Sequence, residues 1–186
     1  NVILGDTGWG KTISLGSFAY YYKDNVIFNP VQKSTSPRLF YSDILNLISS
    51  EKYSASIPLN LLIKRVAYEF NSKKRDMLLI IDEVTKFDHN FFEHLQDFRE
   101  MTKESTGIIL AGGIYFHKKF RKWNEKVEDG MPEFYSRVNV WYKLDAPSND
   151  VIVSIIRAYD IHDSKFVVYC SNTTDLRFLK RIIENY

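Results

Sequence analysis

The sequence predicts an α/β fold: a three-layer sandwich with a five-stranded parallel sheet and a small C-terminal helical lid. Three observations predict it. Short apolar runs recur at residues 2–4, 26–28, 77–81, 108–111 and 138–144. They are too short for helices, and an unbroken apolar run suits a strand buried on both faces. The stretches between them carry apolar residues at helical spacing. After Pro147 the strand signals stop and mainly helical patterns remain.

Each element follows from its residues. Asn1-Val2-Ile3-Leu4 reads as the tail of a buried strand, so the sequence is expected to be a piece of a longer chain. Residues 5–10 are a glycine-rich loop, and residues 12–22 a helix with several aromatics. Val26-Ile27-Phe28 is a strand closed by Asn29-Pro30. A polar loop over 31–37 precedes a helix with Leu39, Ile44, Leu45 and Ile48 on one side. Residues 60–70 form a second helical pattern. The run 77–81 ends in Asp82-Glu83, and Asp88 is placed to cap a helix carrying Phe91, Phe92, Leu95 and Phe98. These aromatics read as core. Asp145-Ala146-Pro147 stops the fifth strand. Ser148 or Asn149 can cap a helix with Val151, Ile152, Ile155, Ile156 and Tyr159. Residues 166–169 fit helix or strand, and Thr174 can cap a last helix through Leu176, Leu179, Ile182 and Ile183. The expected division is an α/β domain over 1–147 and a helical lid over 148–186, the lid incomplete.

Composition narrows the function classes. A hydrophobic fraction of 45% in 186 residues supports a packed core and argues against disorder. A net charge of +2 excludes a globally basic nucleic-acid binder but leaves room for a local basic patch. Cys170, the single cysteine, cannot form an intrachain disulfide, which fits a cytoplasmic protein, and its apolar neighbours mark it as core. There is no run of about 18 apolar residues to span a membrane. No charged leader precedes a hydrophobic stretch. His89, His94 and His162 lack metal-ligand spacing, and no Ser-His-Asp or Cys-His arrangement stands out.

Chemistry concentrates at two places. Gly5-Asp6-Thr7-Gly8-Trp9-Gly10-Lys11-Thr12 matches G-x-x-x-x-G-K-[ST], the phosphate loop, between a strand and a helix as the motif requires. Its glycines let backbone N–H groups turn toward phosphate oxygens, and the helix adds its positive end. Lys11 would sit on the β- and γ-phosphates and the Thr12 hydroxyl on Mg²⁺. A glycine-rich turn without ligand is the alternative. The strand ending in Asp82-Glu83 delivers two carboxylates to the edge where α/β ligands bind. Asp82 would hold Mg²⁺, through water. Glu83 would act as general base on the attacking water. Alternatively, one of the two acids merely caps the next helix. Trp9 either packs on the lid or the adenine side, or is simply tolerated.

The acid pair, the run from Gly107 to Gly113, Ser136-Arg137 and the C-terminal helices together resemble the AAA+ ATPases, over nearly the whole chain. Within them the order of segments is similar to the transposition ATPases of the phage Mu B, TniB and TnsC type. The resemblance implies ATP or ADP with Mg²⁺, and self-association through the ATP site into a ring or filament. It implies that Arg137 in "EFYSRV" is an arginine finger for a neighbouring subunit, and that Arg177 in "DLRFLKR" is a second sensor in the lid. Ordinary surface arginines are the alternative for both. The chain departs from the family where its strand 108–111 is followed by Gly112-Gly113 instead of a polar first sensor. Slow or partner-stimulated hydrolysis is therefore expected.

DNA contacts are expected in two regions. His117-Lys118-Lys119-Phe120-Arg121-Lys122-Trp123 mixes basic and aromatic residues, as a phosphate-binding patch does, although a solvated helix face looks the same. Lys33 and Arg38 follow the second strand, in the region that faces DNA in the resembled ATPases. Lys73-Lys74-Arg75 is a solvated loop. The leading expectation is an ATPase that assembles on double-stranded DNA as a regulator for a transposase-like protein. The alternatives are a P-loop switch in signalling or secretion that binds no DNA, and a scaffold that binds ATP without turnover.

Overall fold

The computed structural model describes residues 1–49, 57–126 and 131–186. Five strands form one sheet: β1 (Val2–Leu4), β2 (Val26–Pro30), β3 (Met77–Asp82), β4 (Thr106–Gly112) and β5 (Trp141–Lys143). Their order is β2-β3-β4-β1-β5, and every neighbouring pair is parallel. Register decides what meets at the edge. Leu4 pairs with Gly112 and with Lys143, and Pro30 pairs with Asp82. The strands thus all end along one edge, which collects Gly5, Asp82 and Gly113.

Helices cover both faces. They are α1 (Lys11–Tyr21), α2 (Pro37–Ile48), α3 (Leu59–Ser72), α4 (His89–Thr102), α5 (Tyr115–Glu125) and α6 (Met131–Ser136), then α7 (Asn149–Ala158), α8 (Ser164–Cys170) and α9 (Leu176–Glu184). The side chains of β3 alternate as a strand must. Leu79 and Ile81 enter the large core with Phe40, Ile44, Val66, Phe70 and Phe98. Ile80 faces the other way, into a small cluster with Ala19 and Val26 under α1. The large core is aromatic: the ring of Phe92 lies 5.9, 5.2 and 5.4 Å from those of Phe116, Phe120 and Phe134. The expected core aromatics Phe91, Phe92 and Phe98 are fully buried.

The C-terminal helices have a core of their own, built from Ile152, Ile156, Phe166, Cys170, Leu179 and Ile183. Residues 166–169, ambiguous in sequence, belong to α8, where Phe166 and Cys170 recur at helical spacing. Ser148 Oγ caps α7 by accepting from Val151 N–H at 3.4 Å. The last helix is capped by Asp175, not Thr174: its Oδ1 accepts from the N–H groups of Arg177 (2.8 Å) and Phe178 (3.4 Å). A carboxylate at that position satisfies two of the orphan donors and suits the helix dipole.

Other boundaries move for similar reasons. β5 is shorter than the run 138–144, because the chain leaves α6 only at Ser136 and starts pairing near Val140, whose carbonyl accepts from Val2 N–H at 2.9 Å. Leu39 is exposed, while its neighbours Phe40 and Tyr41 carry the buried face of α2. Among the described residues no helix is long and apolar enough to cross a membrane.

Candidate functional site

The loop over residues 5–12 closes around its own lysine. Gly8 and Gly10 adopt φ of +81° and +88°, backbone that a side chain would strain. Lys11 Nζ donates to the carbonyls of Gly5 (2.7 Å) and Asp6 (2.8 Å). Asp6 Oδ1 accepts from Thr7 N–H at 2.9 Å, and Trp9 is half-buried. Burial pulls the Lys11 ammonium below its ordinary pKa. The carboxylates of Asp82, Glu83 and Asp6 pull it back up, and Arg177 adds a smaller push down.

The two halves of the sequence motif meet directly. Thr12 Oγ1 donates to Asp82 Oδ2 at 2.6 Å. Asp82 is fully buried, and its Oδ1 accepts from Glu83 N–H at 2.8 Å. A hydroxyl and a carboxylate brought together are hard oxygen donors, which suit Mg²⁺. Glu83 itself stands at φ +63°, ψ +31°, the left-handed region that disfavours side chains. That turn swings its carboxylate out of the strand direction, 3.7 Å from Lys86 Nζ. A short 3-10 turn, Val84–Lys86, follows.

These groups line one cleft at the strand ends, with Lys11, Thr12, Glu83, Thr85, Gly113, Tyr115 and Arg177 among its walls. Arg177 comes from α9, more than 160 residues along the chain, and the start of that helix is docked on the loop. Leu176 N–H donates to the Gly8 carbonyl at 2.9 Å. A Cβ on Gly8 would collide with the Asp175 carboxylate. Gly8→Ala is therefore expected to lower stability by about 2 kcal/mol, from positive-φ strain plus a displaced helix cap. Denaturant unfolding checks this. A variant as stable as the wild type would show that the contact carries nothing.

Arg137 lies elsewhere. It follows α6 and lines a separate depression with Thr106 and Gly107, at the opposite edge of the sheet from the loop. Glu100 of α4 pairs with it and also with Arg99. The basic segment 117–123 lies on α5, and the structure divides it. Lys118, Arg121 and Lys122 are exposed, and Arg121 pairs with Glu125 at 3.2 Å. Lys119 turns inward: its Nζ donates to the carbonyls of Thr85 (3.0 Å) and Phe87 (2.9 Å). Lys33 and Arg38 are exposed, in the loop after β2 and at the start of α2.

Sequence reasoning missed Thr85, Tyr115, Asp175 and Leu176 as neighbours of the loop. Asp175 could have been read as a cap from its type. The others belong to no motif, and only the packing of the turn, α5 and α9 brings them to the cleft.

Comparison with known proteins agrees with this geometry. A family model described as AAA domain matches residues 1–120. Among solved structures, the chain is similar to the Aeropyrum pernix ORC1 protein in complex with DNA. That match has a TM-score of 0.69 and 14% identity, covering 98% of this chain and 52% of that one. It is similar to the Aeropyrum pernix ORC2 protein in ADPNP-ADP complexes (TM-score 0.62, 16% identity, 84% and 44% covered). It is similar to Cdc6p from Pyrobaculum aerophilum (0.60, 13%, 84% and 41%). The chain spans about half the length of these structures or somewhat less. No curated protein sequence matches it. With a family match over most of its length, and a parallel sheet carrying the phosphate loop at its strand ends, the chain belongs to the AAA domain family of P-loop ATPases.

Proposed function

We propose that this chain binds MgATP in the cleft, hydrolyses it slowly, and uses the bound nucleotide to gate self-association on double-stranded DNA. The observation that carries the reading is the hydrogen bond from Thr12 to Asp82, beside a lysine already folded back on the loop. Residues 5–12 wrap the phosphates with their N–H groups, and Lys11 moves from its two carbonyls to the β- and γ-phosphates. Thr12 and Asp82 would hold Mg²⁺, which would supply neutralisation of the phosphate charge there. Glu83 takes the proton of the attacking water. Arg177 reads the phosphates from α9. The end of β4 at Gly112, followed by Gly113, offers no side chain to this reaction, which supports slow turnover.

Arg137 is proposed to complete the site of a neighbouring copy. Its place at the far edge of the sheet supports action in trans, since it cannot reach its own cleft. Residues 1–147 would be the nucleotide-binding domain and 148–186 a lid, which the separate C-terminal core supports. Lys33, Arg38, Lys118, Arg121 and Lys122 are the proposed DNA contacts, supported by their exposure. The role of a regulator for a transposase-like protein rests on the order of segments along the chain. The decisive experiment measures duplex DNA affinity, phosphate release and particle mass by light scattering, with ATP, a non-hydrolysable analogue or no nucleotide. The analogue is expected to raise both mass and DNA affinity. If nucleotide changes neither, gated assembly on DNA is wrong.

The perturbed Lys11 gives a pH signature. Its ammonium is held below the ordinary lysine value in the free protein, and bound phosphate raises it. Below both values affinity is flat with pH. As pH rises through the free protein's value, that form gives up its proton first. ATP affinity is therefore expected to fall on the alkaline side, with proton uptake on binding. Calorimetry in two buffers of different protonation enthalpy checks the uptake.

A further inference from the structure

We infer that the Thr85 hydroxyl is the second hydrogen-bonding partner of the attacking water, and that Lys119 is the residue that positions it. The inference deepens the hydrolysis reading and rests on it. A water attacking in line must be oriented as well as deprotonated, and Glu83 supplies one contact only.

The end of β4 leaves room for the Thr85 side chain, whose methyl packs where a residue larger than glycine would stand. At the end of β4 a Cβ on Gly112 would stand 3.2 Å from Thr85 Cγ2 and 3.2 Å from Val84 Cγ2. A Cβ on Gly113 would stand 2.8 Å from the ring of Tyr115. The glycines that remove a side chain from the strand thus make room for residues arriving from the next turn and helix. Thr85 lines the cleft together with Glu83, two residues before it, and is 8% exposed. Among the described residues its hydroxyl has no hydrogen-bond partner. Thr85 is otherwise enclosed by protein, so the partners open to its hydroxyl are those that enter the cleft. Tyr115 lines the same cleft but is 63% exposed, so its hydroxyl is already solvated.

Lys119 accounts for the position of that turn. The turn opens on Glu83 at φ +63°, a conformation kept only where the surroundings hold it. Lys119 Nζ grips the carbonyls of Thr85 and Phe87, spanning the turn. It also lies 4.7 Å from the centroid of the Trp123 ring. Burial lowers its pKa, as expected of an ammonium taken from water for internal carbonyls. In the reaction the water oxygen bonds to the γ-phosphorus as the bond from that phosphorus to the leaving ADP oxygen breaks. Glu83 takes one water proton. Thr85 Oγ1 accepts a hydrogen bond from the other and loses no proton itself.

The test uses Thr85→Val, which keeps the branched shape and removes the hydroxyl, with Thr85→Ser as the conservative rescue. With duplex DNA present, Thr85→Val should lower kcat about 10-fold, the effect of one neutral hydrogen bond, with ATP affinity within about 2-fold of wild type. Thr85→Ser should keep kcat close to wild type. Lys119→Met should lower kcat and leave the analogue-dependent DNA affinity unchanged, and Lys119→Arg should recover part of the rate. If Thr85→Val does not fold, Thr85→Ala takes its place, judged against Thr85→Ser. A folded Thr85→Val with wild-type kcat, beside an inactive Glu83→Gln, overturns this inference and leaves hydrolysis standing. Loss of ATP binding in Thr85→Val overturns it as well. Wild-type protein that binds ATP but releases phosphate no faster than Glu83→Gln overturns both readings together.

Discussion

Glu83→Gln is expected to lower phosphate release by a factor of about 100 to 10,000, with ATP affinity within about 2-fold of wild type. The amide has the carboxylate's shape but cannot accept a proton. Little else depends on the charge. Its backbone N–H still donates to Asp82 Oδ1, so the Thr12–Asp82 pair is undisturbed. The attraction to Lys86 at 3.7 Å joins two partly exposed side chains and contributes at most about 1 kcal/mol. Lys86 also donates to the Val31 carbonyl at 3.0 Å and stays anchored without it. Binding and turnover should thus separate cleanly. The measurement is phosphate release beside titration with a fluorescent ATP analogue. Equal release by mutant and wild type would show that the chain binds ATP without hydrolysing it.

Lys11→Ala should weaken ATP binding by at least about 100-fold. A hydrogen bond to a charged group contributes about 1.5–3 kcal/mol, and the ammonium would meet two phosphates, so a loss near 3 kcal/mol is expected. In the free chain the same ammonium holds only the carbonyls of Gly5 and Asp6, at a partly exposed site. The melting temperature without nucleotide should therefore move by only a few degrees, while the nucleotide-induced rise in melting temperature disappears. Calorimetric titration measures the affinity directly. A variant that keeps wild-type affinity would remove the loop from the binding site.

Lys11 and Glu83 are legible in the sequence because their chemistry is local. A phosphate loop must be contiguous, since successive N–H groups wrap one ligand, and its spacing is written in eight residues. Asp82-Glu83 is legible for a related reason: a run of five apolar residues ending in acids has few uses in a parallel sheet. The buried aromatics of α4 are legible from their 3.6-residue period. Arg177 follows from the resemblance and does line the cleft, whereas Arg137 stands at the opposite edge.

What is not legible depends on how separate segments pack. Nothing in "HKKFRKW" distinguishes Lys119 from Lys118, because only the turn of α5 and the carbonyls of Thr85 and Phe87 take one lysine inward. The cap of α9 belongs to Asp175 and not Thr174 because the point at which α9 begins puts the Asp175 carboxylate under the N–H groups of Arg177 and Phe178. The left-handed turn at Glu83 is invisible in a residue type that rarely adopts it. Contiguous motifs and hydrophobic period set the sheet, its helices and the phosphate-binding edge, because those rest on short-range covalent spacing. The far wall of the cleft, from Thr85 and Tyr115 to Leu176 and Arg177, exists only once strand register and helix docking bring distant residues within a few ångströms. No local pattern encodes such a distance.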